Sequence, residues 1–390
     1  MDINVQLFTG SCTTPAELNL QAIAGKLKKI LKKTNIVNAI IGWYPSPAPD
    51  KASPRHNNTD LSEIISLLKN NGTDIYLWMP VFSELEALAG FRPIIGHDGK
   101  PLEINYNMGT GENFVFYCPA NNENIEKIIE TYEKNYNKEI YDGVFLDKIR
   151  FPSFISGLSS VLGCFCNYCR SKYDLPEISE LHTPDSMNPF GINSYSALRY
   201  DVNGAFKKLF DYKCDAVFNS LECLCAYFRG RSLKIGLDLF SPFLAYFVGQ
   251  DYHRLLYLAD FVKPMFYSIT NAPAGLPFEI NMYTAAFDDN ADNAEKRKRS
   301  FLNCTGYGNG FINSEITGIR KIIDENKLKT KLYAGIELNY NESIAPVTEG
   351  YIRESVAKTK GADGIVTSWD LNTTPDSHID CLLDTVGDLL

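Results

Sequence analysis

The chain has 390 residues, is 45% hydrophobic and 22% charged, and carries a formal net charge of −9. This is the composition of an ordinary globular protein, and its net negative, mixed charge excludes the basic patch that a nucleic-acid-binding protein needs. Because the sequence has no long apolar run and no N-terminal secretory signal, we expect a cytoplasmic protein without a membrane span.

Apolar segments typical of strands alternate with amphipathic segments typical of helices along the chain. The eight main predicted strands are residues 3–9, 36–44, 74–82, 141–147, 233–239, 260–267, 332–338 and 364–369, and a further short strand is predicted at 114–118. A predicted helix precedes almost every one of them, and the longest, residues 198–229, has apolar side chains at helical spacing.

Eight strand–helix units with continuously apolar strands indicate a parallel sheet that is buried on both faces. At this length the prediction is a closed (β/α)8 TIM barrel, formed as a single domain by residues 1–390 with elaborated βα loops. An open doubly wound sheet is the alternative. Such a sheet would normally carry a glycine-rich phosphate turn after its first strand, and the turn at residues 9–12 has no such motif.

In a TIM barrel the functional residues lie where the strands end. The candidates at or near predicted strand ends share charge, hydrogen-bonding capacity or an aromatic ring: Trp43, Tyr44, Trp78, Asp147, Arg150, Asp238, Lys263, Tyr267, Glu337, Asn339, Trp369 and Asp370. A single acid at a strand end more often caps a helix or pairs with an arginine. Three such acids, Asp147, Asp238 and Glu337, favour a functional cluster. Each of the tryptophans at or near strand ends could bind a substrate or be a core residue.

Paired carboxylates between aromatic walls are suited to cleavage of a glycosidic bond. One acid protonates the leaving oxygen, and the other attacks the anomeric carbon or activates water. Aromatic rings stack on the apolar faces of sugars. No histidine stands at a predicted strand end, so a histidine-based triad or metal triad has little support.

The ten cysteines, in a chain without a secretory signal, indicate reduced thiols rather than a disulfide framework. Cys164, Cys166 and Cys169 are clustered with a spacing that suits metal thiolates. The best candidate for a fourth ligand is Cys118, at the end of the short strand that precedes the helix leading to residues 141–147. We therefore expect a structural zinc site, with buried thiols as the alternative, and no organic cofactor.

The segment YDGVFLDKIRFP, residues 141–152, resembles the fourth-strand motif of (β/α)8 glycoside hydrolase-like proteins. The segments around Asp238, at 260–267 and at the terminal GADGIVTSWDL resemble later strands of that group. Cys118 followed by Cys164, Cys166 and Cys169 is similar to the zinc site of the family 42 β-galactosidases. The resemblance implies a TIM-barrel glycosidase with a structural zinc ion and a carbohydrate substrate.

One departure from the resemblance affects the catalytic roles. The β-galactosidases carry catalytic glutamates after strands four and seven, whereas this chain offers Asp147 and Glu337. An aspartate there is more similar to the nucleophile of amylase-like barrels, so a retaining or an inverting outcome stays open.

The leading hypothesis makes Asp147 the nucleophile or base and Glu337 the general acid/base, with Asp238 as a third carboxylate. Arg150 and Lys263 would keep Asp147 ionised by their positive charge. The alternatives are a non-catalytic carbohydrate-binding barrel and an aldolase or lyase in which Lys263 forms a Schiff base.

Overall fold

The computed structural model describes residues 1–8, 19–42, 61–84, 88–102, 114–136, 139–155, 157–181, 188–285, 291–308 and 310–389. The turn at residues 9–12 and the aromatic pair Trp43 and Tyr44, predicted to bind substrate, lie outside these ranges.

The strands, in chain order, are β1 (Asp2–Phe8), β2 (Ile36–Gly42), β3 (Asp74–Pro80), β4 (Ser83–Glu84), β5 (Val115–Phe116), β6 (Gly143–Asp147), β7 (Ile192–Ser196), β8 (Arg199–Val202), β9 (Lys234–Phe240), β10 (Phe261–Met265), β11 (Lys331–Glu337), β12 (Tyr340–Asn341), β13 (Ala345–Pro346) and β14 (Gly364–Ser368). Eight of them form a closed parallel barrel in the order β1-β14-β11-β10-β9-β6-β3-β2. The predicted TIM barrel is therefore confirmed.

The helices are α1 (Leu20–Lys33), α2 (Ser62–Asn70), α3 (Asn122–Asn135), α4 (Leu158–Val161), α5 (Asn167–Lys172), α6 (Gly204–Arg229), α7 (Pro242–Ala245), α8 (Tyr252–Leu255), α9 (Leu276–Ala285), α10 (Ala291–Thr305), α11 (Phe311–Glu325), α12 (Glu349–Lys358) and α13 (Asp376–Leu389). In α1 the side chain of Asn19 caps the first turn by accepting from the Ala22 amide, and Ile23, Leu27 and Ile30 form the buried face. Within the described ranges, no helix is long and apolar enough to cross a membrane.

The short predicted strand at 114–118 lies outside the barrel. Its strand β5 pairs with β4 in an antiparallel two-stranded sheet that joins Ser83 to Phe116 and Glu84 to Val115. Because β4 follows β3 closely, this small sheet lies beside the end of β3 and places Cys118 near the loop that follows β6.

The prediction of one helix over residues 198–229 is wrong in its first part. Residues 192–202 form an antiparallel hairpin in which Ser196 pairs with Arg199, and the helix begins only at Gly204. Ala197 and Leu198 form the turn with φ angles of 48° and 60°, a conformation found in tight hairpin turns. Leu198 and Val202 mimic helical spacing, but Val202 is a buried strand residue, which periodicity alone does not reveal.

The barrel interior is filled by aromatic side chains from its amino end to its middle, and polar side chains lie toward its carboxyl end. Interior packing joins Tyr76, Trp78, Phe145, Phe261 and Tyr333. On β9, a Cβ at position 236 would lie 2.4 Å from the Phe261 ring, so glycine there makes room for that packing. Since strand side chains alternate, Asp238, two residues later on the same strand, also faces inward, toward the carboxyl end.

Candidate active site

Asp147 ends β6 at the carboxyl end of the barrel and is half-buried. Its Oδ2 accepts a hydrogen bond of 2.9 Å from the indole Nε1 of Trp78, and its Oδ1 accepts from the backbone amide of Lys148. Lys148 has a φ angle of 52°, a conformation that is uncommon outside glycine. Two donors thus fix the carboxylate, and the side chain as a whole is half-buried.

Trp78 is itself only 3% exposed, and its ring meets Phe8 edge-to-face with centroids 4.9 Å apart. A Cβ at Gly42 would lie 2.7 Å from Trp78 Cβ, so the glycine that ends β2 leaves the space in which the indole lies. The described contacts of Trp78 therefore orient Asp147, and its role as a sugar ligand stays a prediction.

Asp238 and Lys263 form a buried ion pair beneath the mouth of the barrel. Lys263 Nζ lies 3.0 Å from Asp238 Oδ2 and also donates to Gln6 Oε1 at 3.2 Å. The two residues are register neighbours on β9 and β10, and both side chains are at most 3% exposed. A Cβ at Gly335 would lie 2.8 Å from Lys263 Cε, so that glycine provides space for the lysine stem.

Burial and the ion pair act in opposite directions on the pKa values of the two side chains. Burial raises the pKa of Asp238 to about 7, with Asp147 contributing a like charge and Lys263 opposing the shift. Burial alone would lower the pKa of Lys263, but the charge of Asp238 outweighs it and the pKa is raised. A Schiff-base lysine must lose its proton readily. A raised pKa does not favour a Schiff base at Lys263, and that alternative stays an untested prediction; the ion-pair partner of Lys263 is Asp238.

Arg150 lies behind this cluster, with its guanidinium over the ring of Phe240 at 4.4 Å and over that of Phe116 at 5.1 Å. It donates from Nη1 to the carbonyl of Phe151 at 3.1 Å and is buried. Burial lowers its pKa, and the charges of Glu279, Asp147 and Asp238 oppose that shift. Arg150 is thus a buried cation near three carboxylates, and its proposed effect on Asp147 stays a prediction.

Glu337 ends β11 and is 1% exposed. Its Oε1 accepts from the backbone amides of Ile269 and Thr270 at 3.1 and 3.2 Å and from the Thr270 hydroxyl at 3.0 Å. Its Oε2 accepts from the hydroxyl of Tyr351. Burial raises the pKa of Glu337, while these donors, Tyr351 first among them, act in the opposite direction.

The segment after β14 is held by Asn339. Asn339 Oδ1 accepts from the backbone amides of Trp369 and Asp370, and its Nδ2 donates to the Asp370 carbonyl at 2.8 Å. Asp370 Oδ1 in turn accepts from the Phe8 amide at 3.1 Å, which closes the barrel end between β14 and β1. Asn339 and Asp370 thus have structural contacts, and their roles as sugar ligands stay predictions.

Tyr267 and Trp369 lie next to each other at this end. The rings meet edge-to-face with centroids 6.5 Å apart, and the Tyr267 hydroxyl donates to Ser368 Oγ at 2.9 Å. Trp369 is half-buried, whereas Tyr267 is buried. Of the two, Trp369 presents more surface to a ligand.

Cys118, Cys164, Cys166 and Cys169 lie together, with all four sulfurs within 4.8 Å of one another. Four thiolates at about 2.3 Å from a tetrahedral zinc ion would be about 3.8 Å apart, so the cluster fits such an ion. The Ile95 amide donates to Cys164 Sγ at 3.3 Å, and the Tyr212 hydroxyl donates to Cys169 Sγ at 3.1 Å. The cluster can hold a metal ion that ties the loop after β6 to the end of β5.

Several contact residues escaped the sequence analysis. Tyr351 and Thr270, which donate to Glu337, lie at a helix start and in a loop without a motif. Gln6 did leave a signal, because a polar residue in an otherwise apolar strand must have a buried partner.

The fold is similar to those of solved glycoside hydrolases. The glycoside hydrolase domain of PgaB (BpsB) from Bordetella bronchiseptica matches with a TM-score of 0.53 and 13% identity over 98% of each chain. The catalytic domain of β-amylase from Paenibacillus polymyxa matches with a TM-score of 0.53 and 9% identity over 99% of this chain and 98% of that one.

A β-galactosidase from the haloarchaeon Halorubrum lacusprofundi matches with a TM-score of 0.56 and 12% identity over all of this chain, which spans 58% of that enzyme. At these identities the likeness shows the fold alone. No family model and no curated protein sequence matches the chain.

Proposed function

We propose that the protein is a glycoside hydrolase that cleaves an oligosaccharide or glycoconjugate at the carboxyl end of its barrel. The observation that carries this proposal is the geometry of Asp147, a half-buried carboxylate held by Trp78 and by the Lys148 amide. Buried cations and further carboxylates lie behind it, and solved glycoside hydrolases share the fold.

In the proposed reaction, water adds across one glycosidic C–O bond. Asp147 attacks the anomeric carbon or takes a proton from the attacking water, and Glu337 gives a proton to the leaving oxygen. The raised pKa of Glu337 supports the acid role, because a general acid has to be protonated near the working pH.

Asp238 is proposed to bind a sugar hydroxyl. Its Oδ1 is buried and has no hydrogen-bond partner among the described residues, whereas its Oδ2 is bound by Lys263. A buried acceptor without a partner costs free energy, and a ligand hydroxyl would remove that cost. The ion pair fixes the direction in which Oδ1 points.

We also propose that the four-cysteine cluster holds a structural zinc ion. Four thiolates suit zinc and leave no open coordination position for catalysis, so the ion would act only on the folded structure. It would hold the loop that starts just beyond Asp147.

One observation favours a second candidate, a carbohydrate-binding barrel without catalysis. Glu337 is 1% exposed and accepts four hydrogen bonds, which is the environment of a structural anchor. Glu337→Gln separates the two candidates. In the hydrolase it abolishes release of new reducing ends and leaves sugar affinity unchanged, whereas a barrel without catalysis releases none before or after the substitution.

Tyr351→Phe is expected to shift the alkaline limb of the kcat/KM profile to higher pH. The hydroxyl of Tyr351 stabilises the ionised form of Glu337, so its removal raises the pKa further, and the acid stays protonated to higher pH. The profile is measured by reducing-end release.

The matched control is Tyr333→Phe. Tyr333 also donates to a carboxylate, Asp2 at 3.2 Å, but at the amino end of the barrel. The Tyr333→Phe variant should leave the pH profile of kcat/KM unchanged. An active Tyr351→Phe variant whose alkaline limb stays in place would contradict the assignment of Glu337 as the acid.

A further inference from the structure

The hairpin formed by β12 and β13, residues 340–346, carries an exposed aromatic ring at the carboxyl end of the barrel. Tyr340 is 54% exposed and pairs across the hairpin with Pro346, which is also exposed. The sequence analysis did not single out this tyrosine. An exposed tyrosine beside an exposed proline is an apolar surface with a polar edge, which suits the face of a sugar ring.

The hairpin is held rigidly. Asn341 Oδ1 accepts from the Ser343 and Ile344 amides, both at 3.1 Å, which fixes the turn. The Asn271 amide donates to the Ile344 carbonyl at 2.7 Å, and Ala345 is fully buried. Hydrogen bonds and a buried residue thus order the hairpin backbone that carries the Tyr340 ring, so little backbone freedom is lost when a ligand stacks on the ring.

The hairpin of residues 340–346 is also connected to Glu337, the proposed general acid. Tyr340 follows Glu337 by three residues, and the 269–271 segment binds both Glu337 and this hairpin. Asn339, directly before Tyr340, accepts from the amide of the half-buried Trp369. This hydrogen bond therefore joins the backbone next to the exposed Tyr340 to the backbone of the half-buried Trp369.

Exposure alone would not single out Tyr340, since scattered exposed aromatics are normal on protein surfaces. Tyr257 is 52% exposed, but it lies just before β10, at the amino end of the barrel. What distinguishes Tyr340 is its position after the carboxyl end of β11, its hydrogen-bonded support and the bond that joins the preceding residue, Asn339, to the Trp369 amide.

We infer that Tyr340 forms an outer sugar-binding subsite, in which its ring stacks on a unit of the substrate chain beyond the linkage that is cleaved. The inference rests on the proposed function and deepens it, because it makes the substrate a chain of several sugars rather than a disaccharide. The subsite adds affinity for long chains and takes no part in the reaction of the cleaved bond.

Binding of oligosaccharides of two to six units tests the inference. The probes are the cello-, malto-, chito- and galacto- series, titrated calorimetrically into the Asp147→Asn variant so that no turnover occurs. In the series that binds most tightly, adding Tyr340→Ala should weaken binding of the six-unit chain about tenfold and leave the two-unit chain unchanged. Tyr340→Phe should retain the affinity, and Tyr257→Ala is the matched control without effect.

Equal affinity of the six-unit chain with and without Tyr340→Ala overturns the subsite, as does the absence of binding in all four series. The failure of the proposed function has a different signature. Chains would then bind in a Tyr340-dependent way, while the wild-type protein released no new reducing ends from them.

Discussion

Asp147→Asn is expected to reduce hydrolysis by at least about 10³-fold, because it removes the carboxylate that attacks the anomeric carbon or activates water. An asparagine keeps one acceptor oxygen, so it can retain the hydrogen bond from the Trp78 indole or the one from the Lys148 amide, and the other donor loses its acceptor. The free energy of unfolding should therefore fall by only about 1 to 2 kcal/mol, the cost of one lost hydrogen bond. Reducing-end release and thermal unfolding measure the two effects.

The matched control is Asp142→Asn. Asp142 lies just before the same strand, at the amino end of the barrel, where its Oδ2 accepts from the Ile75 amide at 2.8 Å. It should cost some stability and no activity. A large loss of stability in Asp147→Asn, or full activity, would show that Asp147 has a structural role instead.

Removal of the metal is expected to have the largest effect on stability. If zinc is present at about 1,000 times its dissociation constant, binding stabilises the folded protein by about 4 kcal/mol, and a chelator removes that contribution. Residues 153–169 should then exchange their amide hydrogens faster, because the loop is no longer tied to Cys118. Activity should fall only to the extent that this loop, which begins just beyond Asp147, moves.

Cys169→Ser and Cys225→Ser form a matched pair for this prediction. Both cysteines are buried, but Cys225 lies on α6 outside the cluster. Protein purified under reducing conditions should contain one zinc per chain in the wild type and in Cys225→Ser, and none in Cys169→Ser. Equal metal content in the two variants, or no zinc in the wild type, would leave the four cysteines as buried thiols.

The sequence predicted the barrel because its strands are buried on both faces and therefore read as continuous apolar runs. The same logic failed at residues 192–202, where apolar residues at helical spacing belong to a hairpin whose two-residue turn has no glycine. The position of Cys118 at the end of a short predicted strand also indicated that it lies near the other three cysteines, and the four sulfurs do lie together.

The side-chain partners at the barrel mouth were harder to predict. Lys263 pairs with Asp238 because β9 and β10 are neighbours in the barrel and place the two in register, which only the closed sheet defines. Glu337 is enclosed by donors from the loop after β10 and from the first turn of α12, and such long-range contacts leave little trace in composition or periodicity. The rule that functional residues lie at the carboxyl ends of barrel strands thus located candidate residues. The hydrogen-bond and ion-pair partners of those residues could be identified only from the folded structure.

Hydrolysis in ¹⁸O-labelled water tests the central claim most directly. The wild-type protein is incubated with the four oligosaccharide series, and the products are analysed by mass spectrometry. We expect each cleaved linkage to yield a new reducing end that carries one ¹⁸O atom, and Asp147→Asn to yield none above background. Cleavage without incorporation of the label, or no cleavage of any chain by folded wild-type protein, would contradict it.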